Sequence, residues 1–155
     1  VSCPVCLRYR NTPKDLSPSL SGYKGPENTV SDTCGEEILL ANQKPNAITS
    51  PGYPREYGNS LDCKWYLTSD KPCNDDVIQV TIHTLSLEET YDHLVIYDGD
   101  TERHPVLTKL SGTAEPQVIV ASGTSIIIAF KTDDTASGRG FYLSYIRGKV
   151  DIDTT

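Results

Sequence analysis

The chain has 155 residues, 37% of them hydrophobic and 23% charged, which suffices for one domain with its own buried core. A net charge of −7 without any Lys/Arg cluster excludes nucleic-acid binding through the phosphate backbone, and no apolar run approaches the ~20 residues of a membrane helix. The 11 Gly, 10 Pro and 9 Tyr, with no Met, suit a turn-rich β protein better than a helical one.

Residues 1–33 carry Pro4, Pro13, Pro18 and Pro26 with Gly22 and Gly25 and hold no sustained period of two or 3.6, so they read as an irregular N-terminal arm. The chain opens at Val1 without a charged-then-apolar leader, as expected of a processed or excised segment. Cys3 and Cys6 have CxxC spacing, but neither a βαβ context for redox chemistry nor a second pair for zinc accompanies them. They are expected to staple the arm to the body, with Cys73, between Pro72 and Asn74 in a loop, as the acceptor. Five cysteines are an odd number, so at least one of Cys3, Cys6 and Cys73 is free or bridges to another chain. Cysteines in so compact a Pro/Gly-rich chain favour an oxidising compartment.

From Cys34 onward, short strands recur between turn clusters. Ile38–Ala41 and Asn46–Ser50 read as the first two, followed by a long turn region from Pro51 to Ser60. Leu61, Cys63, Trp65 and Leu67 then share one face, which places the only Trp in the core. Ile78, Val80 and Ile82 continue the alternation. In Tyr91–Gly99, Leu94 and Ile96 point one way and His93, Val95 and Tyr97 the other, before Asp98-Gly99 closes a turn. Val106–Leu110 follows. Gln117–Ala121 and Thr124–Lys131 flank Ser122-Gly123, which predicts a hairpin. The run Ile126-Ile127-Ile128 marks a central strand covered on both faces. Phe141, Leu143 and Tyr145 alternate in the last strand, and residues 148–155 form an acidic C-terminal tail.

Nine strands and no helix predict an all-β fold, a two-sheet antiparallel sandwich, because each strand has one apolar face to bury. Cys34 lies where the first strand begins and Cys63 on the Trp strand; a bridge between them would be worth roughly 3 to 4 kcal/mol.

The residues, in order, resemble a CUB domain, the extracellular module of complement proteases, astacin-type proteases, spermadhesins and receptors. The resemblance rests on Cys34-Gly35, Ile48 to Pro54, Tyr57, Cys63-Lys64-Trp65, Leu85 to Glu88, Tyr91 to Leu94, Ile96 to Gly99, Leu110-Ser111-Gly112, Phe130 to Asp133 and Gly140-Phe141. It covers about residues 34–147. It implies a jelly-roll-like sandwich with a Cys34–Cys63 disulfide. The family's second disulfide has no counterpart, since its two places hold Glu89 or Thr90 and Ser111.

The resemblance also implies a calcium site at one end of the sandwich, built from Glu88 (or Glu89), Asp92 and Asp133, with Tyr53 bracing them and Asp134 or Thr135 nearby. Such hard oxygens on loops suit Ca2+. The spacing from Glu88 to Asp92 is shorter than the family's. Ordinary solvated turn acids are the competing reading.

Catalysis finds little support. His83, His93 and His104 are the only neutral-pH bases, all expected to face outward, and no nucleophile, zinc or phosphate-loop motif is present. Asp98, Asp100 and Glu102 read as turn acids rather than a glycosidase pair. The expected function is therefore a non-catalytic extracellular module, secreted or in an ectodomain, that binds another protein through Tyr53, Asp92, Asp133 and Asp134, with calcium as the ion. Glycan binding and a covalent dimer through an unpaired cysteine are the alternatives.

Overall fold

The computed structural model describes residues 34–72 and 75–149, so the expectations for residues 1–33, Cys73 and the last tail residues lie outside the described residues. Nine strands follow in order: β1 (Glu36–Ala41), β2 (Asn46–Thr49), β3 (Asp62–Ser69), β4 (Val77–Ser86), β5 (His93–Tyr97), β6 (Val106–Leu110), β7 (Gln117–Val120), β8 (Ser125–Lys131) and β9 (Gly140–Gly148). They form two packed sheets, β1-β3-β8-β5-β6 and β2-β9-β4-β7.

Alternation decides which side chains enter the space between the sheets. Strand β3 sends in Cys63, Trp65 and Leu67, β9 sends in Phe141, Leu143 and Tyr145, and β5 sends in Leu94 and Ile96. At the centre, the Phe130 and Phe141 rings meet edge to face at 5.1 Å, and Trp65 meets Phe141 edge-on at 6.0 Å. In β4 the register slips between Ile82 and Thr84, leaving His83 and Thr84 both exposed. This bulge shifts the phase by one residue and returns Leu85 to the core.

Strand β8 is the middle of the five, and Ile126, Ile127 and Ile128 are all buried, as the apolar run predicts. Ile127 nevertheless points to the outer face, where its cross-strand neighbours are Tyr66 and Tyr97. Covering it contributes about 1.5–3 kcal/mol. The row continues to the sheet's edges through Ile38 and Val106, so apolar side chains cross the whole outer face on one register line.

Two expectations need correction. The sandwich is not wholly antiparallel, because β1 pairs with β3 in parallel, from Glu36↔Lys64 to Ala41↔Ser69. With β2 placed in the other sheet, the chain makes its return leg there and starts β3 from the same end as β1. The cysteines at those two starts, Cys34 and Cys63, form a disulfide with Cα atoms 5.3 Å apart. The second correction concerns Ser122-Gly123, which is no hairpin: β7 pairs with β4 and β8 pairs with β3 and β5 in the opposite sheet. The turn crosses between sheets, held by Ser122 N–H donating to Asp98 Oδ1 at 3.0 Å and Ile78 N–H donating to Gly123 O at 3.2 Å. A strand of three consecutive buried isoleucines takes a central place, whereas β7, with Val118 and Val120 exposed, suits only an edge.

One end of the sandwich is closed by charge. Arg147, in phase with Phe141, Leu143 and Tyr145, turns inward and is 5% exposed; its guanidinium pairs with Asp70 at 2.7 Å and with buried Asp76. That ties the β3–β4 loop to the end of β9. The candidate site lies at the opposite end, roughly 33 Å away along β4.

Candidate metal centre

Three strand ends build the site. Register places His93 of β5 opposite Lys131 of β8, so Asp92, just before β5, and Asp133, just after β8, emerge side by side. Strand β4 ends at Ser86 and delivers Glu88 in the following turn. One oxygen from each of Glu88, Asp92 and Asp133 lies within 4.8 Å of the others. Glu89, the alternative to Glu88, is exposed and lies beside Gly112.

Asp92 is the pivot and is fully buried. Its Oδ1 accepts from Asp133 N–H at 2.9 Å and its Oδ2 from the Tyr57 hydroxyl at 2.6 Å. The same hydroxyl accepts from Glu88 N–H at 2.9 Å, so one phenol orders two of the three acids. Asp133 is fixed in turn by Ser60 N–H on its carbonyl at 2.6 Å and Thr135 N–H on Oδ1 at 3.2 Å. Burial, then the bond to Asp92, pushes the Tyr57 phenol well above the ordinary tyrosine range. It stays protonated and donates.

The bracing residue is therefore Tyr57 rather than Tyr53. The Tyr53 hydroxyl bonds Thr84 Oγ1 at 3.0 Å, and its ring stacks on Tyr142 at 6.2 Å on the outer face. Both tyrosines belong to the long turn region, and spacing alone did not separate a ring aimed inward, against Phe130 at 5.1 Å, from one aimed outward. Asp134, the fourth expected contact residue, is exposed beside the cluster.

The electrostatics are unbalanced. No ion pair among the described residues involves the three carboxylates. Burial, then the charges of Asp133 and Asp92, raises the Glu88 pKa. Glu88 Oε1 is buried with no hydrogen-bond partner. Buried polar atoms are nearly always satisfied, so an orphaned acceptor among acids points to a missing positive charge. Carboxylate oxygens that converge on loops fit Ca2+, which takes six to eight hard oxygens with carbonyls or water completing the set.

The other sequence candidates lie apart from this cluster. His83 Nε2 is 2.9 Å from Ser144 Oγ, and His104 pairs with Asp100 at 3.2 Å. The His93 pKa is lowered by burial and then by Lys109. Glu102 pairs with Lys64 at 2.7 Å and Asp98 holds the crossing turn, so the acids of 98–102 are dispersed among separate partners.

The chain is similar to rat cubilin, 32% identical over 124 residues that cover 77% of this chain and 3% of that protein. It is also similar to rat neuropilin-1, 34% identical over 118 residues, covering 74% of this chain and 12% of that one. It thus spans only a small part of the length of these relatives. Among solved structures it resembles the MASP-1 CUB2 domain bound to Ca2+, with a TM-score of 0.58 and 26% identity, covering 70% of this chain and 96% of that domain. The CUB domain model matches residues 34–145, which span both sheets, the disulfide and all three carboxylates. By sequence and by its five-plus-four-stranded sandwich, this chain belongs to the CUB domain family.

Proposed function

We propose that this chain is an extracellular, non-catalytic module that binds another protein through loops held by a calcium ion at Glu88, Asp92 and Asp133. The carrying observation is the buried, partnerless Glu88 Oε1 set among two further carboxylates within 4.8 Å. The Ca2+-bound state of the similar MASP-1 domain supports the choice of ion. The Cys34–Cys63 disulfide supports an oxidising compartment. Asp92 has no exposed surface, so its part in recognition runs through the ion; exposed Asp134 and half-exposed Tyr53 are left to touch the partner directly. A partner Lys or Arg approaching this acidic rim gains strength as water is excluded.

Calorimetric titration with calcium chloride tests the reading. The wild type is expected to release binding heat and melt at higher temperature in millimolar calcium, and Asp133→Asn to lose most of both. No heat and no melting shift in the wild type would remove the ion from the account.

A further inference from the structure

The turn that carries Glu88 and Asp92 is not self-supporting. Asp92 N–H closes it on Glu88 O at 3.2 Å, but Thr90 inside it sits at φ +78°, a region β-branched residues rarely occupy. Tyr57 and Asp133 hold Glu88 N–H and the Asp92 carboxylate, and a third neighbour, from the segment after β6, reaches the other backbone groups of the turn. Ser111, directly after β6, places one hydroxyl within reach of three backbone groups of the turn. The hydroxyl accepts from Thr90 N–H at 2.8 Å, donates to Asp92 O at 2.7 Å, and approaches Glu88 O at 3.3 Å.

The surrounding backbone fixes Ser111 in place. Leu87 N–H donates to Gly112 O at 2.8 Å, Ala114 N–H donates to Leu85 O at 3.3 Å, and Ser86 bridges to Thr113. Segment 111–114 is thus laced to the stretch just before the turn, and Gly112 at φ +68° lets the chain bend there. The hydroxyl is therefore delivered by a rigid lacing to the one place where it meets both ends and the strained middle of the turn.

We propose that Ser111 is the positioning residue of the carboxylate cluster: by holding Glu88 O, Thr90 N–H and Asp92 O together, it sets the spacing of the Glu88 and Asp92 side chains that a cation requires. This rests on the calcium reading above. Ser111 itself does not ligate; it acts through the backbone of two residues that do.

The test is calcium titration calorimetry on the whole chain, with melting followed separately in EDTA. Ser111→Ala is expected to weaken calcium binding roughly tenfold, and Ser111→Thr, which keeps the hydroxyl, to stay within about threefold of the wild type. Ser111→Cys, close in size but a poor hydrogen-bonding group, should fall between the two, and carries the comparison if the alanine variant does not fold. Melting lowered in EDTA with calcium affinity unchanged would mean a purely structural serine and overturn the proposal. So would equal weakening in Ser111→Thr and Ser111→Ala. Absence of calcium binding in the wild type would remove the underlying reading and this proposal with it, whereas wild-type binding matched by Ser111→Ala removes this proposal alone.

Discussion

Tyr57→Phe isolates one oxygen atom at the heart of the site. The ring stays, packed edge to face on Phe130 at 5.1 Å, so no cavity larger than a hydroxyl is created. Two hydrogen bonds disappear. The first, 2.6 Å to the fully buried Asp92 carboxylate, is a bond to a charged acceptor worth about 1.5–3 kcal/mol. The second leaves Glu88 N–H without its acceptor, at about 1 kcal/mol more. A loss of about 3 kcal/mol is expected, which at roughly 4 °C per kcal/mol for a domain of this size lowers Tm by about 12 °C. Urea unfolding in EDTA measures it, with the slope m unchanged because the buried surface is the same. A shift below about 0.5 kcal/mol would show that the phenol does not brace Asp92. A second signature follows from the raised phenol pKa. Above the ordinary value of 10.0 the unfolded state releases a proton that the folded state keeps, so stability falls as pH climbs toward the raised value. Tyr145, also raised by burial, contributes in the same direction, so Tyr57→Phe should lose only part of this alkaline slope.

Glu88→Gln should change sign with the metal. In the calcium-free protein the raised Glu88 pKa means that this group's own contribution to stability is fullest below the ordinary 4.5 and is lost as pH rises through the raised value, so removing the charge leaves the neutral-pH Tm unchanged or higher while abolishing the calcium-induced shift. For the same reason the wild-type calcium shift should shrink on mild acidification, as protons compete for Glu88; a pH-independent shift in melting scans would count against this carboxylate as a ligand. At the other end, Arg147→Ala strands buried Asp76 and is expected to cost about 3–5 kcal/mol in urea unfolding, with much of it recovered when Asp76→Leu is combined with Arg147→Met. Replacing Cys34 and Cys63 together by alanine frees a loop of 29 residues and should cost roughly 3 to 4 kcal/mol; a cost under 1 kcal/mol would refute the chain-entropy estimate.

What the sequence revealed followed periodicity. The nine strands were legible because alternation survives in β3, β4, β5 and β9 and turn clusters bound the others, and the central place of β8 could be read from three isoleucines in a row. Pairing was less legible. Ser122-Gly123 has hairpin chemistry, yet the strands it joins belong to opposite sheets, because the burial each demands outweighs the local turn preference. Likewise nothing local distinguishes a parallel β1 from an antiparallel one; that depends on where β2 goes. At the candidate metal centre the acids were identified through resemblance, and the structure brings Glu88, Asp92 and Asp133 together despite the short spacing between the first two. The residues that order them were harder to see. Tyr57 and Tyr53 are four positions apart in an aperiodic turn, and a hydroxyl such as that of Ser111 has no pattern of its own. Arg147 did carry a signal: a cation in phase with three core residues is expected either to break the strand or to find buried acids, and it finds Asp70 and Asp76.

The parallel pairing of β1 with β3 has a mechanical corollary. Tension applied at residue 34, as would arise in a chain of tethered modules, meets the Cys34–Cys63 covalent link before it reaches any hydrogen bond of the β1–β3 ladder. Force therefore bypasses the outermost strand and is handed to β3, whose far side is laddered to β8 in the middle of the sheet. Peeling β1 alone away from the edge is closed off from that direction for as long as the disulfide is intact.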